Sequence, residues 1–286
     1  MEQEKSILSI QSHVSYGYVG NKAAVFPLQT LGYDVWQVNT VQFSNHTGYG
    51  KFAGDVFSKD HIKSVIQGVI DISPPSDCGA ILSGYNGSKE IAEIIAETVV
   101  TLRSKNEGLI YLCDPVMGDI GRGIFVKPEI VDFLKNNLKA DIITPNHFEA
   151  ELLTNLTIKN LSDAQQAANN LHARGIKIVV ITSLRAEELD KNKIHIFVSD
   201  NKRAITASSH LYEFDTPKNG TGDLFSALFL GFYLQKFDSF FALKHSIYIM
   251  DKVMKATFAS RSREIRLIGI DYREYQENDS ISCHEI

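Results

Sequence analysis

Five consecutive residues, Asn219-Gly220-Thr221-Gly222-Asp223, stand directly before an apolar run, Leu224 to Gln235, that reads as a buried helix. The first N–H groups of such a helix have no carbonyl partners within it and sit at the positive end of its dipole, so they form an anion site. Gly220 and Gly222 let a phosphate approach without a Cβ in the way, and Thr221 adds a hydroxyl donor. Asp223 is the exception, because a carboxylate beside an anion site repels phosphate. Taking a proton from an attacking alcohol is chemistry that would put it there. The same residues are equally consistent with a plain glycine turn whose Asp faces the helix dipole.

Two further stretches carry hard-ion ligands. Cys113-Asp114-Pro115-Val116-Met117-Gly118-Asp119 puts two carboxylates on the loop leaving a strand, at the edge where open α/β sheets bind ligands. Thr144-Pro145-Asn146-His147-Phe148-Glu149 ends another strand and starts a helix, with Asn146 and Glu149 on one helical face. Together they suit Mg²⁺, which takes a few carboxylates, waters and phosphate oxygens. Each also has a structural reading, Asp114-Pro115 as a turn and Asn146 with Glu149 as a capping pair. Gln11 to Tyr18 and Ser44 to Gly50 follow the first two strands with neutral donors, acceptors and aromatic rings, a lining for an uncharged heteroaromatic ligand. Each histidine there, taken singly, reads as a hydrogen-bonded loop residue. The Gly48, Gly50, Gly54 spacing is one residue too long for a dinucleotide fingerprint, and the sequence has no P-loop.

The elements that must hold these residues alternate. Strands are expected at Ser6 to Ile10, Val35 to Val41, Ala80 to Leu82, Leu109 to Cys113, Asp141 to Thr144 and Lys177 to Thr182. Several are apolar on both faces, as parallel strands covered by helices on both sides are. Helices are expected at Ser88 to Ser104, Pro128 to Leu138, Asn146 to Leu153, Ser162 to Arg174, Thr221 to Gln235 and Ser239 to Arg261. Lys193 to Val198 and Arg203 to Ser209, joined by a polar turn, read as a hairpin near a sheet edge. A polar C-terminal tail, about 274–286, is expected to be loose.

One domain is the expectation for 286 residues, 44% of them apolar. The net charge, 29 − 34 = −5, argues against nonspecific nucleic-acid binding. The longest apolar stretch, Leu224 to Leu234, is well short of the roughly 20 residues of a membrane span, and the N-terminus lacks a secretory signal. Cys78, Cys113 and Cys283 lack the spacing of a disulfide framework or zinc site. A cytoplasmic protein with no membrane or nucleic-acid partner follows.

The strings LSIQSHVSYGYVGNKAAVFPLQTLG, VQFSNHTGYG, LSGY, CDPVMGD, DIITPNHFEAELL, VVITS and NGTGDLFSA recur in this order in the pyridoxal kinases of the ribokinase-like superfamily, which the chain resembles from about Ser6 to the helix after Asp223. The resemblance implies a doubly wound, mainly parallel central sheet flanked by helices on both faces. It implies a homodimer that passes the γ-phosphoryl of ATP to the 5′-hydroxymethyl group of pyridoxal, pyridoxine or pyridoxamine, with Mg²⁺ or another divalent ion and K⁺ or Na⁺. Carried over residue by residue, Asp223 is the base, and Gly220, Thr221 and Gly222 form the anion hole. Ser12, Val19, Thr47 and Tyr85 contact the substrate. Asp114, Asn146, Glu149, Thr182, Ser183 and Thr221 lie on the ATP side, and Asp114, Asp119, Thr144, Glu149 and Thr182 on the cation side. The segment from Ser199 to Lys218 departs from the family pattern and leaves the adenine contacts open, and the loop after Asp119, with Gly121-Arg122-Gly123, is short. A hydroxymethylpyrimidine kinase of the same fold, or a non-catalytic vitamin B6 binder, are the competing readings.

Overall fold

The computed structural model describes residues 6–276 and 281–286. In chain order its elements are β1 (Ser6–Val14), α1 (Asn21–Thr30), β2 (Val35–Phe43), β3 (Gly54–Val56), α2 (Lys59–Ile72), β4 (Cys78–Ser83), α3 (Lys89–Arg103) and β5 (Ile110–Cys113). There follow β6 (Gly118–Asp119), β7 (Gly123–Ile124), α4 (Pro128–Asn137), β8 (Ile142–Ile143), α5 (His147–Thr154), α6 (Leu161–His172) and β9 (Ile178–Ile181). The chain closes with β10 (Lys193–Ser199), β11 (Ala204–His210), α7 (Thr221–Lys236), α8 (Ser239–Ala259) and β12 (Ser282–Glu285).

The main sheet has ten strands in the order β12-β11-β10-β9-β8-β5-β4-β1-β2-β3. From β9 to β2 every neighbouring pair is parallel, and the flanking pairs are antiparallel. Each parallel strand is apolar on both faces because alternate side chains enter different cores. Leu8, Ile81, Tyr111, Cys113 and Ile143 pack under α2 to α6, while Ile7, Ala80, Leu82, Leu112 and Ile142 pack under α1, α7 and α8. This is the expected doubly wound sheet. After β1 the chain first builds outward to β2 and β3, then returns to β4 on the other flank and continues away, so the switch point lies between β1 and β4. The carboxyl ends of strands meeting there form the natural crevice.

α7 is apolar almost all round because it is enclosed by the sheet, α1 and α8. Gly231 lets α1 approach, since a Cβ there would stand 2.8 Å from Leu31 Cδ1. Two helices escape the sequence reading. α1 carries Pro27 inside it, which reads as a breaker. α2 is rich in β-branched residues and buries only Ile62 and Ile66. The C-terminal tail departs from its expectation. Tyr275 stacks on His245 at 4.3 Å, and β12 adds an antiparallel strand to β11, with Ala207 opposite Cys283. Main-chain hydrogen bonding makes no demand for apolar side chains, so composition alone did not show it. The part of the tail at 277–280 lies outside the described residues. Among the described residues, no helix is long and apolar enough to cross a membrane.

Candidate active site

A cavity of about 420 Å³ opens at the carboxyl ends of the parallel strands. Ser12 and Phe43 come from the carboxyl ends of β1 and β2, and Tyr85, Asp114, Thr144 and Thr182 from the loops that leave β4, β5, β8 and β9. The N-terminus of α7 closes the floor with Gly220, Thr221, Gly222 and Asp223. Val19, Thr47, Asp119, Asn146, Glu149 and Ser183 also line it, so every site residue expected from sequence meets in this one cleft.

Gly220 is obligatory where it stands. Its φ is +83°, and a Cβ would lie 1.8 Å from the carbonyl oxygen of Tyr18, which packs the turn against the loop after β1. Gly20 makes the reciprocal contact. Its φ is +55°, a Cβ there would lie 2.0 Å from Ser12 O, and its N–H donates to the Asp223 carboxylate. Ser12 and Asp223 are thus held on either side of Gly20. Burial pushes the Asp223 carboxyl above the usual carboxylate range, and the Gly20 N–H opposes that shift. A carboxylate with raised proton affinity opening onto a cleft is what a general base needs.

Asp114 is deeper, 5% exposed. Ser226, one turn into α7, donates its hydroxyl to Asp114 Oδ2 at 3.3 Å and shares a 2.8 Å hydrogen bond with Thr144. Burial first, then the charges of Glu149 and Asp223, drive the Asp114 carboxyl well above its ordinary range. Glu149 is likewise pushed up, to about 7, chiefly by burial. Its Oε1 accepts the N–H of Met117 at 2.8 Å and of Gly118 at 3.4 Å, and its Oε2 accepts that of Asn146 at 2.9 Å. Asn146 Oδ1 returns the bond by accepting the Glu149 N–H at 2.9 Å. The capping box is therefore present, and the same two residues also tie the loop after β5 to α5, since Asn146 Nδ2 donates to Gly118 O at 2.8 Å. The structural reading of this motif is met, and both residues also line the cleft.

Carboxylates crowded and desolvated in this way suit a hard ion. Among the described residues, no group of three His, Cys, Asp or Glu stands close enough to hold a metal alone. Asp114 and Glu149 are the hard oxygen donors of the cleft that a divalent ion bridging to phosphate would take.

Several residues in the cleft or supporting it were missed or left without a role by the sequence reading. Arg122 and Lys218 bring positive charge to the cleft. Ser226 was hidden in an apolar run. His46 caps the turn Thr47–Tyr49, its Nδ1 accepting the Gly48 N–H at 3.1 Å. The Tyr49 hydroxyl donates to Glu264 Oε1, and Arg263 lies 3.8 Å over the Tyr49 ring. Gly54, set aside as part of a dinucleotide motif, starts the edge strand β3.

The chain resembles known proteins over nearly its whole length. Residues 37–264 match the phosphomethylpyrimidine kinase family. It is 41% identical to the pyridoxal kinase PdxY of Deinococcus radiodurans, covering 93% of this chain and 91% of that protein. It is 42% identical to the PdxY of Granulibacter bethesdensis, covering 92% and 94%. Among solved structures, pyridoxal kinase from Leishmania donovani in complex with ADP and pyridoxine superposes with a TM-score of 0.89 at 32% identity, over 99% of each chain. A switch-point cleft under a doubly wound sheet, with a glycine turn opening its central buried helix, defines the ribokinase-like class. Within that class, the chain belongs to the pyridoxal kinase family.

Proposed function

We propose that this protein transfers the γ-phosphoryl group of ATP to the 5′-hydroxymethyl group of pyridoxal, and also of pyridoxine and pyridoxamine, producing pyridoxal 5′-phosphate from pyridoxal. One observation carries the reading: Asp223 opens onto the same cleft as Ser12, Thr47 and Tyr85, beside the unpaired first-turn amides of α7. The Leishmania donovani relative was solved with ADP together with pyridoxine or pyridoxamine, which supports both halves of the reaction.

Ser12 and Thr47 offer hydroxyls to the ring substituents, while Val19 and Tyr85 cover the ring. Asp223 takes the proton of the attacking hydroxyl, and its raised proton affinity matches that task. The amides of Thr221 and Gly222, with Lys218 and Arg122 nearby, face the charge that gathers on the moving phosphoryl group. Asn146, Thr182 and Ser183 line the nucleotide side. Asp114, Asp119 and Glu149 would hold Mg²⁺ or a similar divalent ion, which neutralises phosphate charge when bound. Asp114, Thr144 and Thr182 would supply oxygen donors for K⁺ or Na⁺. The whole chain acts as a single domain, in a cytoplasmic homodimer.

Asp223→Asn tests the assignment. It is expected to lower kcat by about 10² or more while changing ATP binding far less. Near wild-type turnover would remove Asp223 from the role. A panel of pyridoxal, pyridoxine, pyridoxamine and hydroxymethylpyrimidine tests the substrate, and turnover of the pyrimidine alone would overturn the reading.

A further inference from the structure

A second cavity, about 170 Å³, adjoins the cleft and shares Thr182, Ser183, Thr221 and Gly222 with it. Part of its wall comes from the segment, 199–218, that the sequence left open. β10 gives Ile194 and Ile196, and α7 gives Phe225. α8 lends one helical face, Ile247, Met250, Asp251 and Met254. Ser209, Leu211 and Tyr212 close it on the side of β11. A largely apolar slot beside a phosphate site suits a flat nucleobase. Reading it as the seat of the nucleotide's base rests on the phosphoryl transfer proposed above.

One carboxylate stands in this lining. Asp251 is 8% exposed, and its Oδ1 accepts from Ser209 Oγ at 2.8 Å and from Tyr212 OH at 3.4 Å. Two donors on one oxygen fix how the carboxylate is turned. Among the described residues both of its side-chain hydrogen bonds fall on Oδ1, and Asp251 lines the slot, so Oδ2 is left to a ligand there.

We propose that Asp251 selects the base of the nucleotide: its Oδ2 accepts an N–H of the exocyclic amine at the purine 6-position, so the slot takes adenine and disfavours a 6-oxo purine. An ionised carboxylate only accepts hydrogen bonds. Adenine presents a donor at that position, whereas a 6-oxo purine presents a carbonyl oxygen, which leaves two acceptors facing each other with no proton between them. A site built to hydrogen-bond one substrate group rejects an analogue that lacks it. Met250 and Met254 fit around the ring without adding a polar preference of their own.

Calorimetric titration of the full chain with ADP, purine riboside 5′-diphosphate, inosine 5′-diphosphate and 2′-deoxy-ADP tests this without needing turnover. ADP and 2′-deoxy-ADP are expected to bind alike. The two nucleotides without a 6-amino group are expected to bind about 10-fold to 100-fold more weakly, the scale of a charge-assisted hydrogen bond. Asp251→Asn keeps an oxygen under Ser209 and Tyr212 and turns an NH₂ toward the slot, so its preference moves toward inosine diphosphate, a reversal that a purely structural role would not produce. Should the variant fail to fold, the wild-type series still decides. Equal binding of all four nucleotides overturns the proposal, as does a loss confined to 2′-deoxy-ADP, which would mean that the carboxylate reads the ribose. If the ADP preference holds but pyridoxal is not phosphorylated, the proposed function fails and the base selection stands. If no nucleotide binds, both fall.

Discussion

Replacing Gly222 by Ala separates the anion cradle from the scaffold that carries it. Gly222 is the second residue of α7 and has no positive φ. A Cβ on it would meet Asp114 Oδ2 at 3.5 Å, an ordinary van der Waals distance. The free protein therefore has room for the methyl group, and Ala for Gly within a helix stabilises by about 0.5–1 kcal/mol. In a chain of this size that corresponds to a Tm increase of about 1–3 °C. The same methyl group would stand between the first-turn amides and Asp114, where the transferring phosphate is expected. Displacing reacting groups by about 1 Å costs on the order of 10² in rate. Gly222→Ala should thus melt at or above wild type in calorimetry while kcat/KM falls about 100-fold with ATP and pyridoxal. Gly220→Ala is the contrast, because its φ of +83° and the Tyr18 oxygen 1.8 Å from the new Cβ act on the fold itself. It should lose about 1–2 kcal/mol from the left-handed backbone alone, before the clash. A fully active Gly222→Ala enzyme would show that phosphate does not pass this amide and would refute the reasoning.

Asp114→Asn removes a charge that burial and two neighbouring carboxylates make costly in the free protein, so Tm should rise while turnover falls by about 10² or more; a lower Tm in calorimetry contradicts the electrostatic account. Glu264→Ala releases Tyr49 and with it the turn bearing Thr47; steady-state kinetics should show KM for pyridoxal rising about 3-fold to 10-fold with KM for ATP unchanged, and an unchanged pyridoxal KM counts against the tie. His46 has its affinity for a proton lowered, first by burial and then by Arg122. Its neutral form is the one that accepts the Gly48 N–H. With a folded pKa below the unfolded value of about 6.5, its contribution is complete above that pH and is lost as pH falls through the lower folded value. KM for pyridoxal should therefore rise only as pH falls through that lowered folded value, and His46→Asn, which can still cap the turn, should flatten that rise; an identical pH profile in the variant excludes His46 as its source.

Local chemistry made much of this protein legible. The NGTGD turn pointed to the floor of the cleft, where Gly220 to Asp223 lie, because the peptide groups at a helix start are unpaired whatever surrounds them. The β-α-β alternation announced a parallel sheet because strands that are apolar on both faces require two covering layers. The capping pair Asn146 and Glu149 could be read from spacing alone, since its bonds close within four residues. Other features could not be read this way. Ser226 looks like one polar interruption of a buried helix, and its meaning depends on Asp114, 112 residues earlier in the chain.

Asp251 is a similar case. In sequence it is one acid on an apolar helix face, and it comes to line the second cavity beside Ser209 only because β11 packs against α8. β12 was also invisible, because an edge strand is held by backbone groups that every residue carries. What the sequence by itself determined was the kind of chemistry and the layers that must carry it, since both follow from backbone rules and periodicity. Which acids face one another, and how far each is removed from water, was decided only when loops distant in the chain met at the switch point, because desolvation and Coulomb interaction depend on distance in space and not on distance along the chain.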